Sequence, residues 1–339
     1  MAFWEAKLPT AGARSACDAV RVSAPARLHL GFFDLNGNLG RRFGSLGITL
    51  DRPVTSVVAT RAGRAAVTGP SARRADVFAR KARELFGLPD PCRLEVEAAI
   101  PEHSGLGSGT QMALAAGLAA CRLQDAEPAP REVAHLLDRG QRSGIGIGAF
   151  ESGGVLLDGG SAAGEAPPPI LARFDFPSAW RVILIFDRSF TGVHGPDEAE
   201  AFRKLPPFPA DRAAHLCRVV LMRALPGIAE ADLDTFGAAV AELQRAVGDH
   251  FAPVQGGRYA STDVAEVLTW FAGMGVTGVG QSSWGPTGFA LLGSERAARA
   301  LLESARERFA GRAGLEFMLC HGNNSGGRIQ TRMNGNWRG

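Results

Sequence analysis

The stretch that most restricts the fold is CRLEVEAAIPEHSGLGSGTQMALAAGLAACRL, residues 92–123. Leu94, Val96, Ala98 and Ile100 recur at every second position, the period of a strand with one buried face. From about Thr110 to Leu123 the chain is alanine-rich and apolar, as in a buried helix. Between the two, Gly105, Gly107 and Gly109 alternate with Ser104, Leu106, Ser108 and Thr110. Glycines let the backbone turn tightly and let a ligand approach without meeting a Cβ. The following helix aims its first N–H groups and positive dipole end at the same point. A polyphosphate uses all of these features, so residues 104–110 are expected to bind phosphate. No Gly-Lys-Ser/Thr follows, which excludes a Walker A loop, and the third glycine comes one residue early for a dinucleotide fingerprint. The competing reading is a plain strand-to-helix turn with glycines kept for packing.

The rest of the chain supplies two α+β units. VRVSAPARLHLGFF alternates as a strand broken by Pro25, and GSLGITLDRPVTSVVAT continues as β-rich chain. ADVFARKARELFG has helical spacing with Gly87 as its stop, and a further helix is expected over residues 131–141 with Pro130 in its first turn. After the linker-like GSAAGEAPPP come a buried strand, WRVILIFD, helices to about residue 273, and strand GFALLG. A helix, SERAARALLESARERF, and strand LEFMLC lead into a glycine- and asparagine-rich polar tail. The expected organisation is a leader over 1–19, a first domain over 20–175 and a second over 176–339. At 339 residues each domain can bury its own core.

Composition excludes several classes. With 45% hydrophobic and 21% charged residues the chain is globular, and a net charge of +3 without a basic, aromatic-interleaved stripe argues against nucleic acid. The five cysteines are isolated, which argues against a zinc site and for a reducing compartment. Neither a signal peptide nor a run of membrane-spanning length is read, so a cytoplasmic protein away from the membrane is expected.

The loop resembles that of the GHMP kinase superfamily, Pro-x-x-x-Gly-Leu-Gly-Ser-Ser, at Pro101, Gly105, Leu106, Gly107 and Ser108, with Gly109 in place of the second serine. The resemblance implies a first domain like the second domain of ribosomal protein S5 and a ferredoxin-like second domain. Kinases of this group carry an aspartate base in a Ser-Gly-x-Asp segment. Here the segment reads Ser143, Gly144, Ile145, Gly146, and a glycine cannot take a proton from a hydroxyl nucleophile. The late glycine-rich turn is also unusually polar, GVGQSSWGPTGFALL.

Three segments together resemble the β-ribofuranosylaminobenzene 5′-phosphate synthase branch: PARLHLGFFDLNGNLGRRFGSLGITLDRP, RSGIGIGAFESGG and GQSSWGPTGFALL. That resemblance covers about residues 21–325. It implies transfer from phosphoribosyl pyrophosphate to 4-aminobenzoate or 4-hydroxybenzoate, with loss of pyrophosphate and carbon dioxide, for methanopterin synthesis. It further implies Mg2+ and a homodimer, with no ATP consumed and no flavin or nicotinamide. The alternative is an ATP-dependent kinase of the same superfamily.

Such chemistry needs a pyrophosphate cradle, a grip on the benzoate and a dry pocket that preorganises their encounter. Arg27 and His29, two apart on a strand, suit one anion. Arg41 and Arg142 are further candidates for binding substrate, against the reading that they lie solvated in turns. Asp34 is a candidate for orienting a ribose hydroxyl or a metal-bound water, and Glu151 for holding Mg2+ through water. Asp187 and His194 follow a buried strand, where loops often carry function. Gln281, Ser282 and Trp284 are candidates for the benzoate pocket, against a core anchor for the tryptophan.

Overall fold

The computed structural model describes residues 17–162, 166–190, 203 and 205–338. The first half contains β1 (Ala19–Asp34), β2 (Arg41–Arg42), β3 (Gly44–Arg61), β4 (Ala66–Thr68), α1 (Ala72–Leu85), β5 (Cys92–Ala98) and α2 (Ser108–Arg122). It continues with α3 (Pro130–Leu136), α4 (Ile145–Glu151), β6 (Val155–Asp158), β7 (Ser161–Ala162) and β8 (Ile170–Phe174). The second half contains β9 (Arg181–Asp187), α5 (Ala210–Val219), a π-helical turn Val220–Ala224, α6 (Leu225–Ala229), α7 (Leu233–Gln255) and α8 (Thr262–Gly273). Then follow β10 (Val279–Gln281), β11 (Gly288–Leu292), α9 (Glu295–Arg308), β12 (Leu315–Cys320), β13 (Arg328–Met333) and β14 (Asn336–Arg338).

The first sheet has the order β14-β13-β1-β3-β5-β4, with β6 paired to β3 and β8 to β6. Pro25 does not end β1. It lacks an N–H to donate, so the pairing with β3 shifts register between Pro25 and Arg27 and the strand runs on. Val20, Val22 and Ala24 therefore serve one core, under α1 and α2, while Ala26, Leu28, Leu30 and Phe32 serve a second core shared with the other half. Every residue of α2 from Gln111 to Cys121 is buried. Its alanines let it lie close to the sheet and to its neighbours, and a Cβ at Gly117 would come within 2.8 Å of Val133.

The second sheet has the order β10-β11-β9-β12, all antiparallel. Numbered within this half, that order is 2-3-1-4, the ferredoxin-like arrangement. Val182 and Leu184 face the shared core, and Ile183 and Ile185 face α8 and α9. The polar tail does not stay with this sheet. Its residues form β13 and β14, and β13 pairs with β1 from Ala19↔Arg332 to Ser23↔Arg328.

The helix expected over 131–141 stops at Leu136. Asp138 and Gly140 adopt positive φ, 57° and 80°, which no helix continues through. This early stop turns Arg139 toward the first turn of α2.

Candidate active site

The glycine loop is held in place from behind. Gly105 and Gly107 have φ of 80° and 82°, and a Cβ on Gly105 would lie 2.2 Å from the Ser282 carbonyl oxygen. Glycine is thus required there for both conformation and space. Ser282 accepts a hydrogen bond at Oγ from the His29 N–H (3.0 Å) and donates one to the Gly105 carbonyl (2.8 Å). One fully buried hydroxyl therefore ties β1, the loop and the late turn together. Arg27 adds a second tie: its N–H donates to the Leu106 carbonyl (3.1 Å), and its guanidinium donates to the Gly105 carbonyl. Ser104 Oγ is turned back to the Pro101 carbonyl (2.8 Å).

The helix that starts at Ser108 presents N–H groups that precede its first internal bond, Gln111 to Gly107 at 3.1 Å. Three arginines gather at this end. Arg27 packs its side chain against Gly107, and Arg74 and Arg139 both reach Gly109. Arg74 also approaches Ser108 Oγ at 3.5 Å and pairs with Glu102 at 3.3 Å. Sequence reasoning missed Arg74 and Arg139. Both lie outside the motifs, in helix and turn positions that resemble any solvated arginine.

His29 is 1% exposed, and neither ring nitrogen has a hydrogen-bond partner among the described residues. Burial, and then the neighbouring Arg27 charge, lower its pKa to about 3, so the imidazole is neutral at physiological pH. It meets the Phe32 ring edge-on at 4.5 Å and lines a cavity of about 20 Å³ with Gln281 and Trp284. That space holds one water molecule. Gln281 and Trp284 border the imidazole across that space. Gln281 is fixed by the Ala260 N–H (2.7 Å), and Trp284 packs on Phe251 with centroids 4.5 Å apart.

The segment at the start of α4 is organised by Asp158, which the sequence reading did not single out. Its carboxylate is fully buried and accepts from Ser45 N (3.2 Å), Ser45 Oγ (2.6 Å), Ser143 Oγ (2.8 Å), Gly144 N (2.8 Å) and Gly160 N (2.9 Å). Burial pushes its pKa up, and the donors pull it back toward the charged form. Gly146, in the first turn of α4, faces α2. A Cβ there would meet Thr110 at 3.2 Å, and Gln111 Nε2 donates to the Gly146 carbonyl at 2.7 Å.

Other candidates are engaged elsewhere. Asp34 caps its own turn, accepting from the N–H groups of Asn36 (2.9 Å) and Gly37 (3.1 Å). Arg41 donates to the carbonyls of Gly159 and Gly160, both at 2.7 Å, and so latches β2 to the turn before β7. Glu151 faces Arg131 at 3.7 Å, and burial raises its pKa in spite of that arginine. No group of three or more His, Cys, Asp or Glu side chains among the described residues is placed to hold a metal. These residues do not fit a protein-built Mg2+ cage. Arg142 is half-buried in the turn before α4. Asp187 lines a cavity of about 270 Å³ beside Ser104 and His103. Its pKa is lowered because hydrogen bonds from Ser189 and Ser261 outweigh burial, the largest single influence. His194 lies outside the described residues.

The loop, the two halves and their strand orders define the class. Residues 71–154 match the family model for the GHMP kinases N terminal domain, and residues 224–311 that for the GHMP kinases C terminal. Among solved structures the chain is similar to homoserine kinase from Cytophaga hutchinsonii (TM-score 0.62, 17% identity, 94% of this chain and 100% of that one). It is also similar to mevalonate diphosphate decarboxylase from Staphylococcus aureus (TM-score 0.63, 13% identity, 92% and 98%). Those likenesses show the fold.

Within that class the chain belongs to the beta-ribofuranosylphenol 5'-phosphate synthase family. It is 33% identical over 310 residues to the enzyme of that name from Archaeoglobus fulgidus, covering 86% of this chain and 93% of the relative. It is 32% identical over 287 residues to that of Methanothermobacter thermautotrophicus, covering 78% and 86%. No helix among the described residues is long and apolar enough to cross a membrane.

Proposed function

We propose that this chain transfers the phosphoribosyl group of phosphoribosyl pyrophosphate to a para-substituted benzoate, forming a carbon–carbon bond and releasing pyrophosphate and carbon dioxide for methanopterin synthesis. The observation that carries the reading, together with family membership, is position 146. It faces the first turn of α2, where a kinase of this fold would present its base, and it has no side chain.

In the proposed reaction the C1–O bond of the sugar breaks and its electron pair goes to pyrophosphate. The ring carbon bearing the carboxylate bonds to C1. The pair of the carbon–carboxylate bond then returns to the ring, and carbon dioxide leaves. No proton needs to move, so no general base is required. The free N–H groups at Ser108, Gly109 and Thr110 and the guanidinium of Arg27 receive the leaving group, where charge grows in the transition state. His29, held neutral, offers one N–H donor and one acceptor to the water that fits beside it, and through that water to a polar group of the substrates. Magnesium, if bound together with the diphosphate, would offset its negative charge as it leaves; Glu151, the carboxylate weighed for it, faces Arg131. The relatives' name places a phenol in their product, which supports 4-hydroxybenzoate as the acceptor over 4-aminobenzoate.

The test is incubation with Mg2+, phosphoribosyl pyrophosphate and carboxyl-labelled 4-hydroxybenzoate or 4-aminobenzoate. Labelled carbon dioxide with either acceptor is the expected result. Silence with both, or turnover of ATP with a small alcohol, overturns the reading.

A further inference from the structure

Arg74, in the first turn of α1, and Arg139, in the turn after α3, converge on one point. A Cβ at Gly109 would lie 3.0 Å from Arg74 Nη2 and 3.3 Å from Arg139 Nη1. Gly109 is not among the residues with positive φ, so its backbone does not require glycine. A side chain there would instead press on two guanidinium ends, which would have to give by a few tenths of an ångström. Both guanidiniums lie against one point, so their like charges repel, and Arg139 is also half-buried. Burial first, and Arg74 second, lower the Arg139 pKa.

The protein offsets this only in part, with Arg139 Nε donating to the Leu137 carbonyl at 3.2 Å. Asp138, the adjacent carboxylate, is engaged by Lys81. Arg139 has no ion pair among the described residues and lies over the Phe78 ring at 5.3 Å. Arg74 pairs with one carboxylate, Glu102, and reaches Ser108 Oγ at 3.5 Å. The pair thus costs the empty protein stability at the mouth of a helix whose N–H groups already favour an anion.

We propose that Arg74 and Arg139 form a two-armed clamp on the diphosphate, closing over Gly109, and take up the negative charge that develops as pyrophosphate leaves. This rests on the function proposed above and extends it. It gives the replacement of the superfamily's second serine by Gly109 a cause: a side chain there would occupy the place of the clamp.

The test is calorimetric titration with inorganic pyrophosphate, with and without Mg2+, of wild type, Arg74→Met, Arg139→Met, Arg139→Lys and Gly109→Ser. Each Met variant is expected to bind at least about tenfold more weakly, since a charge-assisted hydrogen bond is lost. Arg139→Lys should fall between, keeping the charge without the fork, and Gly109→Ser should weaken binding like the Met variants. Thermal unfolding without ligand supplies the second readout. Relief of repulsion should leave Arg139→Met at least as stable as wild type. Wild-type affinity in both Met variants overturns the clamp. So does weaker binding that comes with a lower unliganded melting temperature, which assigns Arg139 to architecture. Pyrophosphate binding needs no acceptor, so the clamp can stand if carbon dioxide release fails. Release that succeeds while the Met variants bind normally removes the clamp alone.

Discussion

Two buried polar groups of the first half have opposite surroundings. Asp158, with no exposed surface, receives five donors from three segments. His29, equally buried, has partners for neither ring nitrogen among the described residues. A buried polar group normally finds its partners, because leaving one unmade costs about 1–3 kcal/mol. The satisfied group therefore reads as architecture, fixing the turn before α4. The orphan reads as a group kept for something that is not part of the chain. Both sit on the same sheet, so the contrast is one of purpose and not of location.

The largest expected effect is at Asp158. Asp158→Ala strands buried donors at Ser45, Ser143, Gly144 and Gly160 and should cost about 3–5 kcal/mol in urea unfolding. A cost under about 1 kcal/mol would erase the contrast. Next is His29→Phe, which removes an orphan and keeps an aromatic against Phe32. Stability should change by less than about 1.5 kcal/mol, while kcat/KM falls about 100-fold, the scale of losing one positioned polar group. A variant that unfolds yet retains its specific activity when folded reverses the assignment.

Smaller still, taken per pH unit, is the acid dependence. The folded His29 pKa is about 3, below the unfolded value near 6.5. Between these values the unfolded chain binds the extra proton, so acid favours unfolding. His29 should remove about 1.4 kcal/mol of stability per pH unit as the pH falls from 6.5 toward 3. His29→Phe should flatten the slope by one proton; an unchanged slope places the imidazole in contact with water. Smallest is Arg41→Ala, where two hydrogen bonds from an exposed arginine should cost about 1 kcal/mol and leave turnover within about twofold.

Much of this was legible from local pattern. The alternation at Leu94, Val96 and Ile100 and the alanine run after Thr110 are local signals, and the glycines between them announce a loop that only tight backbone approach explains. Asp158 was not legible, because its partners at Ser45 and Ser143 are 113 and 15 residues away and no local period links them. Arg74 and Arg139 were hidden for a different reason: one sits in an ordinary amphipathic helix, and the other is aimed only because α3 ends early at Leu136. Asp34, Arg41 and Glu151 have the residue types of a site, but each meets a nearby carbonyl, N–H or arginine. Residue type does not reveal that. Pro25 misled through a rule that holds for regular strands, since a register shift lets β1 continue past it.

In the proposed function the glycine loop holds pyrophosphate as a leaving group and not a nucleotide as a donor. The most direct test is the stoichiometry of a reaction containing phosphoribosyl pyrophosphate, Mg2+ and a para-substituted benzoate, with ATP left out. Pyrophosphate and carbon dioxide should be released together in equal amounts, at a rate that added ATP does not raise. Strict dependence on ATP, or pyrophosphate without carbon dioxide, would contradict it.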